Sequence, residues 1–225
     1  MTTAIVLAAG RGTRIGTEIP KQFLEAGGEP LVMRSLRAFD ESPEIDEILL
    51  VTSKDYLGYC RELVSKSGLK KIKAVIEGGR ERYDSVYRAL LAAEHTDYVM
   101  IHDGARPFLT EEIIRRCDEA MKKYGAAAAG MPSKDTVKIA DEDGFAAVTP
   151  KRSRVWMIQT PQAFSYRLIR EANEILISGN RMAGVTDDAM IVEASGLAKV
   201  KLVEGSYENI KITTPDDLVR AGISI

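Results

Sequence analysis

A glycine-rich segment with several cations follows the first apolar run of the chain. It consists of Gly10, Arg11, Gly12, Thr13, Arg14, Ile15 and Gly16, with Lys21 a few residues further on. Glycines let backbone N–H groups approach an anion closely, while Arg and Lys supply charged donors for phosphate oxygens. The glycine spacing is not GxGxxG, and no Gly-Lys-Ser/Thr follows as in a Walker A loop. The segment could be a tight surface turn, but its position after the first predicted strand favours a phosphate-binding loop.

A carboxylate, Asp103, comes directly after the apolar run 98–102 and shortly before Arg106. At the carboxyl edge of a sheet and near a phosphate loop, it suits Mg²⁺, which keeps most of its ligands as waters and substrate phosphates. A helix N-cap, or a pairing of Asp103 with Arg106 in a turn, explains the same residue equally well. The residues alone leave these alternatives open.

Two further segments carry polar residues at element ends. Gly78 and Gly79 form a glycine turn before a predicted helix, near whose start Asp84 or Ser85 could act as a cap. Lys211 lies on a predicted strand, where it faces away from its apolar neighbours. Its side chain therefore points either to solvent or to a site.

The elements that must position these residues alternate between strands and helices. Apolar runs predict strands at 4–9, 47–52, 72–76 and 98–102, and amphipathic spacing predicts helices at 30–39, 54–66, 81–93 and 111–123. The run at 126–131 extends the pattern. Such alternation indicates an α/β fold with a doubly wound, mostly parallel, Rossmann-like sheet that binds its ligand at the carboxyl ends of the strands.

The alternation breaks at residues 132–162. Two short strand-like pieces at 135–140 and 145–149 flank an Asp-Glu-Asp-Gly turn and predict a projecting β-hairpin arm. Beyond them we expect helices at 164–177 and near 187–195, strands near 198–203 and at 208–212, and a short helix from Pro215. Without repeats or linkers, the chain is predicted to form one domain over residues 1–225, with an arm at about 133–158.

Composition excludes several classes of protein. The 225 residues carry 31 Lys and Arg against 33 Asp and Glu, a net charge of −2, which argues against a nucleic-acid binder. No apolar run approaches the ~20 residues that a membrane span needs, and the N-terminus lacks the pattern of a secretory signal. Cys60 and Cys117 have neither metal-site nor disulfide spacing. We therefore expect a cytoplasmic protein with reduced thiols.

Longer strings extend these observations over nearly the whole chain. They are LAAGRGTRIGTEIPKQ (7–22), GGRERYDSV (78–86), HDGARPF (102–108), PSKDTVK (132–138), QTPQAF (159–164), TDD (186–188) and ENIKITTPDDL (208–218). In this order they resemble the 2-C-methyl-D-erythritol 4-phosphate cytidylyltransferase family, nucleotidyltransferases of the non-mevalonate isoprenoid pathway. The chain departs from the more usual HDAARP by having Gly104, which leaves the flanking Asp103 and Arg106 in place.

The resemblance implies a nucleotide-diphospho-sugar transferase-like fold, CTP and a polyol phosphate as substrates, and Mg²⁺ or another divalent cation at Asp103. It implies a catalytic set of Arg14, Lys21 and Lys211. It assigns nucleotide binding to Ala8, Ala9, Gly10, Gly12, Thr13, Arg14, Lys21, Gly78, Gly79, Arg82, Asp84, Ser85 and Asp103. It assigns acceptor binding to Asp103, Arg106, Thr136, Arg152, Thr160, Thr186, Asp187 and Lys211. Arg152 is preferred to Arg154 because, as in the family, it lies four residues before Trp156.

Alternative functions differ in what they require of these residues. A ribitol-5-phosphate cytidylyltransferase shares most of the first loop, but the stretch 154–162 is more similar to the methylerythritol enzymes. A non-catalytic nucleotide-binding regulator would lose the loop cations or Asp103, and a dehydrogenase needs the GxGxxG spacing. We also expect a homodimer, because the arm has apolar residues without cover and carries Thr136 and Arg152, which could complete the neighbour's site.

Overall fold

Runs of aliphatic residues form the buried strands of a central sheet, and amphipathic segments cover both of its faces. The computed structural model describes residues 1–10 and 19–220. Its strands are β1 (Thr2–Ala8), β2 (Glu47–Thr52), β3 (Ile72–Glu77), β4 (Tyr98–Asp103), β5 (Ala126–Pro132), β6 (Ile139–Ala140), β7 (Ala146–Val148), β8 (Trp156–Ser165) and β9 (Lys201–Glu204). Its helices are α1 (Leu31–Glu41), α2 (Leu57–Ser67), α3 (Arg82–Ala92), α4 (Glu111–Tyr124), α5 (Tyr166–Ser178), α6 (Asp188–Ser195) and α7 (Pro215–Arg220).

Seven strands form the main sheet in the order β3-β2-β1-β4-β8-β5-β9. All of its pairings are parallel except those of β8, which runs antiparallel to both β4 and β5. Because β1 has β2 on one side and β4 on the other, the strand order reverses between β1 and β4. The carboxyl ends of these two strands therefore flank a topological switch point, where doubly wound folds bind ligands.

The hydrophobic core has one layer on each face of the sheet. Alternate residues of β1 divide between the layers: Ala4 and Val6 pack on the face covered by α1, α2 and α4, and Ile5 packs on the face covered by α3, α5 and α6. This division follows from the two-residue period of a strand. The doubly wound, mostly parallel α/β fold predicted from the sequence is confirmed.

The residues 139–148 form the predicted hairpin, a two-stranded sheet of β6 and β7. Its turn is closed by Asp141, whose backbone N–H donates to the carbonyl of Phe145 and whose carboxylate accepts from the Phe145 N–H at 2.8 Å. Gly144 adopts φ +87°, a conformation that favours glycine. The hairpin's apolar side chains are exposed, Phe145 by 72 %.

Two predictions for the second half of the chain are wrong. No sheet strand was predicted within residues 132–162 other than the hairpin pieces, but the ten-residue strand β8 begins there and lies inside the main sheet. Its buried polar residues Gln159, Thr160 and Gln162 interrupt the apolar pattern that indicates a buried strand. Residues 208–212 are described but form no strand. Their backbone groups bond locally and to another loop, as in the 2.8 Å bond from the Ile212 N–H to the carbonyl of Ala105.

The two cysteines are buried free thiols, and burial raises the pKa of the Cys117 thiol to about 12. Cys117 belongs to the α4 face that packs in the core, so it acts there as a small apolar residue. Among residues 1–10 and 19–220, the helices are all too short or too polar to cross a membrane.

Candidate active site

A cleft of about 1240 Å³ opens at the carboxyl ends of β1 and β4, with charged and glycine residues along its walls. Of the residues singled out in the sequence, it is lined by Ala9, Gly10, Lys21, Gly78, Gly79, Arg82, Ser85, Asp103 and Lys211. Other lining residues include Lys54, Asp55, Tyr56, Arg80, Glu81 and Arg88. The fold thus brings segments from distant parts of the chain together at the switch point.

Asp103, the last residue of β4, lies between two cations. Lys211 Nζ is 2.7 Å from Oδ2, and Arg82 Nε is 3.3 Å from Oδ1. Burial alone would raise the pKa of this carboxyl group, but the charges of Arg82 and Lys211 outweigh it and hold the pKa well below its usual range. Asp103 is therefore ionised, and Lys211 faces the site rather than solvent.

The backbone of Asp103 is held by a chain of buried hydrogen bonds. Its N–H donates to the Thr160 hydroxyl oxygen at 3.1 Å, and that hydroxyl lies 3.0 Å from His102 Nδ1. The other ring nitrogen, Nε2, lies 3.2 Å from the carbonyl oxygen of Arg106. Because a carbonyl only accepts, Nε2 carries the proton, and Nδ1 accepts from Thr160. Burial lowers the pKa of His102 to about 4, so the ring is neutral.

The segment before Lys211 is held by hydrogen bonds to Arg106, which follows β4, and to residues of β8. Arg106 donates from Nη1 to the carbonyl of Asn209 at 2.7 Å, and the buried Asn209 side chain donates to the carbonyl of Thr160 at 2.9 Å. Gln159 donates from Nε2 to the carbonyl of Ser206 at 2.7 Å. These bonds, rather than a strand ladder, bring Lys211 to Asp103.

The turn at Gly78 and Gly79 closes onto the start of α3. Gly78 N–H donates to the Thr52 carbonyl at 2.7 Å, and Gly79 N–H donates to the Ser85 hydroxyl at 3.0 Å. A Cβ at Gly78 would lie only 2.8 Å from both the Ala9 Cβ and the Ser85 Oγ, so this position requires glycine. Asp84 accepts from the N–H of the N-cap residue at 3.0 Å, which confirms its capping role.

A 3₁₀ turn, Lys21–Phe23, holds Lys21 at the cleft. Within it, the buried Gln22 donates from Nε2 to the carbonyls of Ala8 at 2.7 Å and Gly10 at 2.9 Å. Phe23 stacks on Tyr56 with ring centroids 4.8 Å apart. Gln22 thereby ties Ala8 at the end of β1, and Gly10 after it, to the 3₁₀ turn. Of the predicted loop residues, Arg11, Gly12, Thr13 and Arg14 lie outside the residues that the structure describes.

Several predicted acceptor-binding residues lie away from the described lining of the cleft. Thr136 and Arg152 are exposed near the hairpin, where Arg152 Nη1 is 3.4 Å from the carbonyl of Lys134. Thr186 is also exposed, and Asp187 caps α6 by accepting from the Met190 N–H at 2.9 Å. None of these four residues belongs to the described lining of the cleft that holds Asp103.

The predicted set omitted residues that organise the site, namely Gln22, Gln159, Gln162 and Asp188. Gln162 donates to Asp187 Oδ2 and accepts from the Ala189 N–H, at 2.9 and 2.8 Å. Asp188 is fully buried and lies 2.7 Å from Arg82 Nη2. All four belong to strings that carry the family resemblance, but nothing in the spacing of the chain indicates their hydrogen-bond partners.

The residues around Asp103 fit a divalent cation that has a single protein ligand. The carboxylate is ionised and lines the cleft, and its Oδ1 contacts Arg82 while its Oδ2 contacts Lys211, so lone pairs on both oxygens can still bind a metal. The described residues contain no cluster of three or more His, Cys, Asp or Glu side chains that could hold a metal. The remaining ligands would therefore be substrate phosphates and water, as Mg²⁺ prefers.

A polyanionic ligand suits a cleft with Lys21, Arg82 and Lys211 along its walls, and the switch point of a doubly wound sheet is where nucleotides bind. The fold and the site thus define a nucleotide-binding α/β protein. The sequence model of the family described as IspD, 2-C-methyl-D-erythritol 4-phosphate cytidylyltransferase, matches residues 2–225, and the chain belongs to this family.

Individual relatives agree with the family match. The 2-C-methyl-D-erythritol 4-phosphate cytidylyltransferase of Lachnospira eligens is 50 % identical over 223 residues, with 99 % of this chain and 98 % of the relative covered. A relative of the same name from Clostridium perfringens is 45 % identical, with 97 % and 96 % covered. The crystal structure of 4-diphosphocytidyl-2C-methyl-D-erythritol synthase from Anaerococcus prevotii matches with a TM-score of 0.87 at 36 % identity, covering 98 % of this chain and 93 % of that one.

Proposed function

We propose that this protein transfers CMP from CTP to 2-C-methyl-D-erythritol 4-phosphate, which gives 4-diphosphocytidyl-2-C-methyl-D-erythritol and pyrophosphate for isoprenoid precursor synthesis. The observation that carries the proposal is the family match over residues 2–225. The gathering of Lys21, Arg82, Asp103 and Lys211 in one cleft at the switch point supports it. We also propose a cytoplasmic location, which is consistent with two buried free thiols.

The reaction needs positioning and charge neutralisation more than acid–base chemistry. An oxygen of the acceptor phosphate forms a bond to the α-phosphorus of CTP in line with the bond that breaks, and pyrophosphate leaves with the electron pair of that bond. The acceptor is a phosphate monoester and is already anionic near pH 7, so no base must remove a proton. His102 is buried and held by two hydrogen bonds, in keeping with a reaction that uses no histidine.

The cations of the cleft have distinct roles in this proposal. Lys21 and Arg14 bind the α-phosphate and the leaving pyrophosphate, while Lys211 and Arg106 orient the two reactants. Lys211 is well suited, because its 2.7 Å pair with Asp103 holds a flexible side chain in one place. Arg106 is fixed by its bond to Asn209. A Mg²⁺ ion bound at Asp103 would neutralise negative charge on the substrate phosphates.

The glycine turn is the proposed binding segment for the cytosine and ribose. Gly78 and Gly79 line the cleft beside Ala9, and the close approach of Gly78 to Ala9 and Ser85 leaves main-chain atoms at the surface of the wall. Ser85 and the capping residue Asp84 hold the turn in shape. Main-chain groups fixed in this way can bind the edge of a base without an induced rearrangement.

The acceptor site is proposed to be completed by a second copy of the chain. The exposed apolar residues Ile139, Phe145 and Val148 make the hairpin arm a surface that a partner would cover. Thr136 and Arg152 flank these residues and do not line the described cleft of their own chain. In an isologous dimer, each arm would deliver both residues to the neighbour's site.

Subunit complementation tests the shared site. Chains with Lys21→Ala and chains with Arg152→Ala, each inactive alone, are mixed and allowed to exchange. In every heterodimer with shared sites, one site carries both defects and the other carries neither. Because random pairing makes half of the dimers heterodimers, about a quarter of wild-type activity should return. If each arm serves its own chain, all sites keep one defect and the mixture stays inactive.

A pyrophosphate-release assay tests the reaction itself. CTP is supplied with 2-C-methyl-D-erythritol 4-phosphate, with ribitol 5-phosphate, or without an acceptor, and product formation is followed by mass spectrometry. We expect turnover with the methylerythritol acceptor. Faster turnover with ribitol 5-phosphate would identify a polyol phosphate enzyme of the alternative kind, and nucleotide binding without any release of pyrophosphate would indicate a regulator.

A further inference from the structure

Arg82 bridges two carboxylates that belong to different elements of the fold. It is the first residue of α3, and its Nε lies 3.3 Å from Oδ1 of Asp103 at the end of β4. Its Nη2 lies 2.7 Å from Oδ2 of Asp188, the first residue of α6. The guanidinium group is planar and rigid, so two contacts through different nitrogens fix its orientation as well as its position.

The carboxylate of Asp188 is an unusual group to find at this depth. Its side chain is 0 % exposed, and Oδ1 has no hydrogen-bond partner among the residues that the structure describes. Burial raises the pKa of Asp188, while the charge and hydrogen bond of Arg82 oppose that rise. Buried ion pairs are poor sources of net stability, because desolvation offsets the attraction between the charges. Stability of the fold is therefore a weak explanation for Asp188.

Helix capping does not explain Asp188 either. The N-cap of α6 is Asp187, whose carboxylate accepts from the Met190 N–H at 2.9 Å and from the Gln162 amide at 2.9 Å. The described hydrogen bond of the Asp188 side chain is to Arg82. The side chain of Asp188 thus turns away from its own helix and toward the cleft residue.

We infer that Asp188 is a positioning residue that orients the guanidinium of Arg82, and through it the carboxylate of Asp103. Among the described residues, Asp188 and Asp103 engage Nη2 and Nε, which leaves Nη1 of Arg82 for a ligand in the cleft that Arg82 lines. Lys211 contacts the opposite oxygen of Asp103. Asp188 therefore links the start of α6 to the group at the end of β4. The inference rests on the proposed function, since cytidylyl transfer is the activity that it affects.

The first test compares Asp188→Asn with Asp118→Asn. Asn keeps the shape of Asp and removes its charge. Asp118 is a matched control, because it is also a buried aspartate, paired with Lys122 at 2.8 Å on α4, and it does not line the cleft. We expect D188N to lower kcat/KM about 10²-fold, the scale of a misplaced active-site group. D118N should keep kcat/KM within about twofold of wild type.

A binding measurement separates this role from a general loss of stability. Calorimetry with CTP alone, without acceptor, should show about a tenfold higher Kd in D188N, as expected when one charge-assisted hydrogen bond is weakened. The same titration should show no change in D118N. If D188N lowers the melting temperature but matches D118N in kcat/KM and in CTP affinity, the inference is overturned. Wild-type chain that releases no pyrophosphate would instead overturn the proposed function.

A second variant, Arg82→Lys, tests the bridge even if D188N does not fold. Lys keeps the positive charge but cannot fork between two carboxylates. We expect R82K to lower kcat/KM at least as much as D188N, since it also removes Nη1. In the R82K background, D188N should add less than about twofold, because the bridge is already broken. Wild-type turnover in R82K would refute the inference. An equal further loss from D188N in both backgrounds would also refute it.

Discussion

Thr160 offers a direct test of how Asp103 is held, through the substitution Thr160→Val. Valine has nearly the same shape as threonine, so T160V removes little more than a hydroxyl. That hydroxyl accepts from the Asp103 N–H at 3.1 Å and lies 3.0 Å from His102 Nδ1. In the variant, a buried donor and a buried acceptor lose their partner, and each unsatisfied group costs about 1–3 kcal/mol.

The expected destabilisation of T160V is therefore about 3 kcal/mol, which in a domain of this size lowers the melting temperature by about 6–12 °C. Urea unfolding followed by circular dichroism measures it. The control is Thr160→Ser, which keeps the hydroxyl, loses one methyl group and should cost about 1 kcal/mol. At 25 °C, T160V should also turn over more slowly than T160S, because the backbone of Asp103 is no longer anchored.

The opposite result has a clear meaning. If Thr160 acts mainly by touching the acceptor, T160V would raise the KM for 2-C-methyl-D-erythritol 4-phosphate and stay within about 1 kcal/mol of T160S in stability. That outcome would refute the argument that the hydroxyl holds Asp103 and His102. The buried position of Thr160 favours the first outcome.

Three further predictions concern the charged and titrating groups of the site. Lys21→Ala should lower kcat about 10²–10³-fold with little change in the KM for CTP, measured by pyrophosphate release; near-normal kcat would remove Lys21 from catalysis. Asp103→Asn should shift the Mg²⁺ titration of activity to higher concentration, while the circular dichroism spectrum stays native. An unchanged titration would show that Asp103 does not bind the metal and serves only in its ion pairs. Burial lowers the pKa of His102 from 6.5 to about 4, so the unfolded chain binds this proton first and stability is lost as the pH falls from 6.5 to 4. Urea unfolding in metal-free buffer should show that the free energy of unfolding falls by about 2 kcal/mol between pH 7 and pH 5, and His102→Gln should abolish this fall. The control is the exposed His95→Gln. An equal pH dependence in H102Q and wild type would contradict the burial argument.

The first half of the fold could be predicted because its signals are local. The strands at 47–52 and 98–102 are continuous apolar runs, and their predicted bounds agree with β2 and β4 to within a residue. A strand that is covered on both faces needs apolar side chains throughout, so its pattern is visible in the sequence. The cleft at the carboxyl ends of β1 and β4 follows from the same alternation.

The strand β8 could not be predicted, because its pattern depends on partners elsewhere in the chain. Gln159, Thr160 and Gln162 are polar residues in buried positions. Each forms a hydrogen bond with the side chain or the backbone of a residue at least 25 positions away in the chain. In isolation they indicate a loop. Only the packed structure provides the donors and acceptors that offset the free-energy cost of burying these polar groups.

The family strings placed Lys211 and Asp103 at one site, but the secondary structure predicted for the segment that carries Lys211 was wrong. The segment before Lys211 is an irregular chain held by Arg106 and Thr160, where a strand was expected. A strand pattern of alternating apolar residues does not distinguish a ladder from a loop that buries Ile212 on one side.

The sequence by itself determined the fold class, the carboxyl edge that carries the site, and the residue types that gather there. The tertiary structure alone decided which atoms of the charged groups pair: Asp188 contacts Arg82 across 106 positions of the chain, and Lys211 contacts Oδ2 of Asp103. The physical reason is range. The periodicity that forms a strand or helix acts over a few neighbouring residues, whereas an ion pair depends on the packing that brings distant elements within about 3 Å.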